Sequence, residues 1–86
     1  MESKLKNVES KSYNKGKVNA QLWKAELNTK GKIQRKLNEA RKAYKNYILE
    51  YHLNNWKENE TIKDNINNYL GFIDELERWL EIWKQV

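Results

Sequence analysis

Two stretches of the chain repeat apolar residues at the spacing of an α-helix. The first stretch places six side chains at alternating intervals of four and three residues, which aligns them along one stripe of a helix: Ile33, Leu37, Ala40, Tyr44, Tyr47 and Tyr51. The second stretch repeats the pattern over Ile62, Ile66, Tyr69, Ile73, Leu76, Leu80 and Trp83. The sequence therefore predicts two long amphipathic helices, over residues 32–54 and 62–85.

A short, mostly polar segment joins these two predicted helices. Residues 54–60 contain one apolar side chain, Trp56, and a connection of this length makes neighbouring helices antiparallel. Thr61 is the expected N-cap of the second helix, because its hydroxyl can accept from amides of the first turn, and Asp64 adds negative charge there. The two helices are therefore expected to form an antiparallel hairpin.

A shorter helix is predicted upstream, over residues 17–28. Its apolar residues follow the helical spacing at Val18, Leu22 and Ala25, with Trp23 and Leu27 beside them. Gly31 either follows the end of this helix or is tolerated inside one longer helix. The fold class is thus all-α, a helical hairpin completed to a three-helix bundle, and the 86 residues suit a single domain.

The first 16 residues are basic and include the turn-like sequence Asn14-Lys15-Gly16. This composition predicts an arm that is flexible in the free protein, or a short hairpin.

Both long helices also carry apolar residues away from their main stripe. Leu49 and Leu53 project from the face opposite Ile33 and Tyr44, at 100° per residue. A second stripe on the last helix contains Phe72, Trp79, Trp83 and Val86, with Ile82 nearby. The short helix is expected to cover one of these surfaces, leaving the other for a partner protein or a second copy of the chain. The Trp79 stripe is interpreted as core packing or, alternatively, as a binding surface.

The sequence lacks the combinations of residues that are typical of catalytic sites and metal sites. The chain has no Cys, and its single histidine, His52, cannot complete a tetrahedral zinc site and is interpreted as a partly buried structural side chain. Asp74, Glu77 and Glu81 share one side of the last helix but are expected to form a solvated face. The sequence therefore predicts a protein without catalytic residues, cofactor or metal.

The location of the protein is predicted from the same composition. No run of about 18 apolar residues is present, and the first residues contain no apolar core of a signal peptide. The chain is therefore expected to lie outside membranes, in the cytoplasm of a bacterial or phage-infected cell.

Positive charge is concentrated in the first half of the chain. Residues 1–45 contain 13 Lys or Arg against 4 Glu, whereas residues 46–86 contain 4 against 8 acidic residues. Arg35 and Lys42 lie seven residues apart and project away from the apolar stripe. They belong to a predicted basic ridge of Lys30, Lys32, Arg35, Lys36, Arg41, Lys42 and Lys45. A ridge of this kind is typical of proteins that contact anionic partners.

Charge and aromatic content together suggest three functional hypotheses. The first is an inhibitor or adaptor that docks on a nucleic-acid-handling protein or a nucleoprotein complex, because Arg, Trp and Tyr are typical of interface hot spots. Phage anti-defence proteins such as anti-CRISPRs are an analogy of size, composition and charge. The second is direct, nonspecific binding to a DNA or RNA backbone, and the third is self-assembly, with a homodimer as its simplest form. The predicted aromatic interface consists of Trp23, Trp56, Trp79 and Trp83.

Overall fold

The computed structural model describes residues 9–53 and 60–84, and helices make up most of this part of the chain. Helix α1 spans Lys11–Leu22, α2 spans Lys30–Leu53 and α3 spans Glu60–Lys84. The predicted all-α, three-helix architecture is confirmed. The bounds of α2 and α3 agree with the prediction to within two residues at each end. Trp56, Val86 and the first eight residues of the predicted basic arm lie outside the described residues.

Helix α3 is the centre of the fold. Both α1 and α2 pack on α3, whereas no Cα atom of α1 lies within 8 Å of a Cα atom of α2. The core surrounds Leu76, which is fully buried. It contains apolar side chains of α3 and α2, Ala20 of α1 and Leu27 from the connecting loop. Because α3 presents apolar residues to two neighbours, it buries more of its circumference than α2 does.

The hairpin of α2 and α3 is antiparallel, as predicted. Near the start of α2, Ile33 and Leu37 are buried in the same core as Leu80, whereas further along α2 the ring of Tyr47 lies 5.6 Å from that of Tyr69. Residue numbers thus rise along α2 as they fall along α3. The predicted stripes form this contact, with one exception: Trp83, at the last position of the α3 stripe, keeps 45% of its surface exposed.

The position and the buried face of α1 differ from the prediction. The helix covers residues 11–22 instead of 17–28, so the expected turn at Asn14-Lys15-Gly16 and this part of the expected basic arm are helical. Val18 and Leu22 are exposed, whereas Tyr13, Gly16 and Ala20 are buried. The buried face lies about half a turn around the helix from the predicted one. The prediction was wrong because Gly16 and Ala20, two of the three buried residues, are too small to produce a recognisable apolar pattern in the sequence.

Two glycines allow α1 and α3 to touch backbone to backbone. A Cβ atom placed on Gly16 would overlap the carbonyl oxygen of Asn68 and lie 2.9 Å from the amide nitrogen of Phe72. A Cβ atom placed on Gly71 would overlap the carbonyl oxygen of Tyr13 in the same way. Both glycines are therefore required by close packing, and neither has a positive φ angle.

Side-chain caps mark where α1 and α2 begin. The Ser10 hydroxyl accepts from the amide of Tyr13 at 3.1 Å, and the Thr29 hydroxyl accepts from the amide of Lys32 at 3.2 Å. Thr29 thus caps α2, which begins at Lys30. Gly31 lies inside the first turn of α2. It does not join the two helices into one longer helix, because α1 already ends at Leu22. The predicted cap Thr61 is wrong as well, since α3 already includes Glu60.

Polar contacts join α1 to α3 and show that these two helices are parallel. Ser12 donates to Asp64 at 2.9 Å near the beginning of both helices, and Gln21 donates to Glu75 further along each. Tyr13 donates to Asp74 at 2.6 Å. Burial, the hydrogen bond to Asp74 and the negative charges of Asp74 and Glu75 raise the pKa of the Tyr13 phenol to about 12. Three carboxylates of α3, those of Asp64, Asp74 and Glu75, thus accept hydrogen bonds from α1.

Glu75 makes the stability of the fold dependent on pH. Burial alone would raise the pKa of its carboxyl, but the hydrogen bonds and charge of Arg78, the hydrogen bond from Gln21 and the charge of Lys17 outweigh burial and lower the pKa below its ordinary value. Because the pKa is lower in the folded protein than in the unfolded chain, the ionised carboxylate stabilises the fold above the unfolded pKa. That stabilisation is lost as the pH falls through the folded pKa.

We therefore expect Glu75→Gln to weaken the dependence of stability on acid pH. Between about pH 6 and about pH 3 the parent protein should lose more of its free energy of unfolding than the variant, since Gln cannot be protonated in this range. Urea unfolding followed by circular dichroism at several pH values measures the difference. Parallel pH profiles for parent and variant would contradict the role assigned to Glu75.

Candidate binding surface

The seven cations of the predicted ridge all lie on α2, but the structure separates them. Arg41 donates to Glu77 of α3 at 2.5 Å, and the Lys36 ammonium lies 4.0 Å from the centre of the Trp23 ring. Lys32 donates to Asn28 at 3.2 Å. Surface contacts of these kinds are worth about 1 kcal/mol or less each. They nevertheless hold part of the predicted ridge against the protein itself.

The remaining cations are exposed on α2. Arg35, Lys42 and Lys45 form no ion pair with any described residue, and Lys30, at the first position of the helix, is exposed as well. Arg35 and Lys42 lie two helical turns apart on the side away from the core, with Lys45 on the adjoining flank. Together with Lys30, these three cations are the part of the predicted ridge that forms no ion pair, cation–π contact or side-chain hydrogen bond with a described residue.

Two leucines extend the same side of α2 towards its C-terminal end. Residues 42, 46, 49 and 53 follow each other at intervals of four, three and four, so they lie on one stripe. Leu49 is 58% exposed and Leu53 73% exposed, which confirms the prediction that both face away from the hairpin contact. We use the name outer face for the surface formed by Arg35, Lys42, Lys45, Asn46, Leu49 and Leu53.

The location of the outer face follows from the packing of α2. Ile33, Leu37 and Ala40 are nearly completely buried against α3, which fixes the rotation of the helix about its axis. Residues half a turn away must then face solvent. Two glutamates, Glu39 and Glu50, lie on the adjoining side of α2 and are exposed. The outer face itself combines three positive charges with two apolar side chains.

The predicted aromatic interface is not a single surface. Trp79 is 8% exposed and belongs to the core, in agreement with the interpretation as core packing. Trp23 follows the end of α1 and contacts Lys36, whereas Trp83 lines a separate pocket with Leu27 near the end of α3. The three described tryptophans therefore do not form one exposed surface, and among the cations of the outer face only Arg35 shares a cleft with one of them, Trp23. The outer face carries leucines instead.

The acidic residues of α3 that could have held a cation are engaged in structural contacts. Asp74 accepts from Tyr13 and Glu77 from Arg41. Among residues 9–53 and 60–84, no group of three or more His, Cys, Asp or Glu is arranged to hold a metal ion. His52 is exposed, with its ring edge-on to Tyr51 at 5.8 Å. The prediction of a partly buried histidine was wrong, because residue 52 lies beside the buried stripe of α2 and not on it.

None of the helices in the described part of the chain has both the length and the apolar content needed to cross a bilayer. Comparison of the chain with models of protein families, with curated proteins and with solved structures finds no match.

Proposed function

We propose that the chain is a non-enzymatic binding protein that docks the outer face of α2 on an acidic surface of another protein. The observation that carries this proposal is the composition of that face. Its three cations and two leucines are exposed, and none of them contributes to the core or to an ion pair of the fold. Exposed leucines beside unpaired cations are typical of a surface that is covered when a partner binds.

The energetic contribution of the two kinds of residue differs. Full burial of a leucine side chain is worth roughly 1.5–3 kcal/mol, so Leu49 and Leu53 can supply affinity. Cations mainly speed up the encounter with an acidic partner and orient it. Arg35 can also bind a carboxylate through two parallel hydrogen bonds. A protein surface with carboxylates around an apolar patch would satisfy both parts of the outer face.

Within this class we favour an inhibitor or adaptor of a nucleic-acid-handling protein or a nucleoprotein complex. Such assemblies present carboxylates and phosphates side by side, and an exposed basic helix can occupy either. We propose a phage or mobile-element anti-defence role of the anti-CRISPR type only by analogy of size and charge. The cytoplasm of a bacterial or phage-infected cell is the location that fits this role.

Charge reversal on the outer face is the test of this proposal. We expect the double variant Lys42→Glu/Lys45→Glu to bind a partner captured from cells about tenfold more weakly or worse, because like charges then face each other. The matched control is Lys11→Glu/Lys15→Glu, which makes the same charge change at exposed positions of α1. Its affinity should stay within about twofold of the parent. Equal losses in the two double variants would overturn the proposal.

Direct binding to a nucleic-acid backbone is the second candidate, since the same three cations could contact phosphates. Phosphate contacts weaken steeply between about 50 mM and about 200 mM salt, whereas leucines gain nothing along a phosphate backbone. The double variant Leu49→Ser/Leu53→Ser therefore separates the candidates. Loss of binding to a captured protein supports docking on a protein, and unchanged binding to duplex DNA with a steep salt dependence supports the second candidate.

Self-assembly is the third candidate, and it would use a different surface. Trp79 is buried, so a seam between copies would have to use Ile82 and Trp83, which are 52% and 45% exposed. Light scattering at high protein concentration tests this candidate, and a monomer at every concentration excludes it.

A further inference from the structure

An open groove lies between α1 and α2, with α3 as its floor. It exists because both outer helices pack on α3 without approaching each other. Its volume is about 500 Å³, within the usual range of sites for small molecules. The groove lies on a different side of α2 from Lys42, Leu49 and Leu53. The outer-face proposal therefore makes no use of it.

Three asparagine side chains from two helices converge on this groove. Asn19 of α1 and Asn65 and Asn68 of α3 all line it, and their side-chain amides form no hydrogen bond with another described residue. Asn67, which lies between two of them in sequence, is buried and donates to the carbonyl of Lys63. A carboxamide offers both donors and an acceptor, which match the hydrogen-bonding edge of a nucleobase.

Aromatic rings lie next to these amides. Tyr47 and Tyr69 line the groove from α2 and α3, with their ring centres 5.6 Å apart and their planes tilted by 31°. Trp23 lines it from the end of α1 and is 37% exposed. Tyr47 and Tyr69 also pack against the core, so only the parts of their rings that line the groove are open to a ligand. Exposed aromatic surface of this kind is a platform on which unpaired bases stack, regardless of sequence.

Positive charge lies at the rim of the groove beside Trp23. The residues Trp23, Lys36 and Glu39 are shared between the groove and a neighbouring cleft. Lys32, Arg35 and one acidic residue, Glu26, also line that cleft. Amides, aromatic rings and ammonium groups therefore follow one another along a continuous depression. Ammonium groups at such a rim can contact the phosphates that link successive bases.

We propose that this groove binds single-stranded nucleic acid. Bases lie against Tyr47, Tyr69 and the asparagine amides, and phosphates contact Lys32 and Lys36. The Glu39 carboxylate can accept a hydrogen bond from the exocyclic amine of a base such as cytosine. Duplexes are excluded, because their bases are already stacked and paired. This site goes beyond the docking of the outer face. It would place the protein on a nucleoprotein complex through two adjoining surfaces that meet at Arg35.

Fluorescence anisotropy with labelled 12-nucleotide probes of oligo-dC, oligo-dT and oligo-rC, and with a duplex of the same length, tests the proposal. We expect the single strands to bind more tightly than the duplex, with affinity falling between about 50 mM and about 200 mM salt. Comparison of oligo-dC with oligo-rC distinguishes DNA from RNA as the natural ligand. Absence of binding at the lower salt, or equal binding of the duplex, would overturn the proposal.

Ala43→Glu is the variant that blocks the groove, because Ala43 lines it from α2 and a carboxylate there repels phosphates and fills space. It should weaken binding of the single strands about tenfold or more. Gln34→Glu is the matched control, since it makes the same charge change at an exposed position of α2 outside the groove. Equal effects of the two substitutions would show that only net charge matters and would refute the site.

A second variant keeps the proposal testable if Ala43→Glu fails to fold. Asn19→Leu replaces an exposed amide of the groove by an apolar side chain of similar size, and circular dichroism should show unchanged helix content. We expect about a threefold or greater loss of affinity for oligo-dC. Unchanged affinity in a folded Asn19→Leu protein would remove the amides from the site.

Discussion

Leu76→Ala is expected to lower the free energy of unfolding by about 3–5 kcal/mol. Leu76 is fully buried at the centre of α3, in the core that α2 and the connecting loop share with that helix. Its truncation removes apolar contacts and leaves a cavity that rigid neighbouring helices cannot fill. An 86-residue protein has a total stability of roughly 5–10 kcal/mol, so the variant should lose a large part of it. Urea or thermal unfolding measured by circular dichroism gives the value.

The matched control for this experiment is Leu49→Ala. It makes the same chemical change on the outer face, where Leu49 is 58% exposed, and should alter the free energy of unfolding by no more than about 0.5 kcal/mol. A cost at Leu49 similar to that at Leu76 would show that the outer face is part of the core. The outer face would then not be available to a partner, and the proposed docking surface would be refuted.

Gly71→Ala is expected to lower the free energy of unfolding by about 3 kcal/mol. The added methyl group would overlap the backbone carbonyl of Tyr13 on α1. Backbone atoms cannot move aside as a flexible side chain can, so α1 must shift away from α3. This loss exceeds the gain of about 1 kcal/mol that alanine normally brings to a helix interior. Chemical denaturation of the variant measures the net effect.

Gly31→Ala is not expected to lower the free energy of unfolding, in contrast to Gly71→Ala. No atom lies within 4 Å of a Cβ atom placed on Gly31, and the residue belongs to the first turn of α2. Alanine should therefore leave stability unchanged or raise it by up to about 1 kcal/mol. If both glycine variants changed stability in the same direction, the tight crossing of α1 and α3 would be refuted.

The long helices could be predicted from sequence because their apolar stripes repeat over six or seven positions. Rows such as Ile33, Leu37 and Ala40 fix both the helical period and the buried face. The short helix α1 could not be predicted correctly, since Gly16 and Ala20 form much of its buried face. A glycine that permits close packing cannot be distinguished by local sequence from a glycine that begins a turn.

The candidate sites also differ in how far they could be predicted from the sequence. The exposure of Leu49 and Leu53 follows from the helical spacing of α2 alone, so the apolar part of the outer face was predictable. The pairing of Arg41 with Glu77 was not, because it depends on how two helices distant in sequence align. The groove between α1 and α2 depends in addition on the position of α1 along α3, which only the tertiary structure defines.

Above all, we propose that the outer face of α2 is the surface on which a partner protein docks. A photo-reactive amino acid at Asn46, at the middle of that face, tests it most directly, with the same group at exposed Thr61 of α3 as the reference. In cells that contain the partner, the group at Asn46 should form a covalent adduct with an acidic region of one protein, and Lys42→Glu/Lys45→Glu should abolish the adduct. An adduct of equal yield from Thr61, or none from Asn46, would contradict the claim.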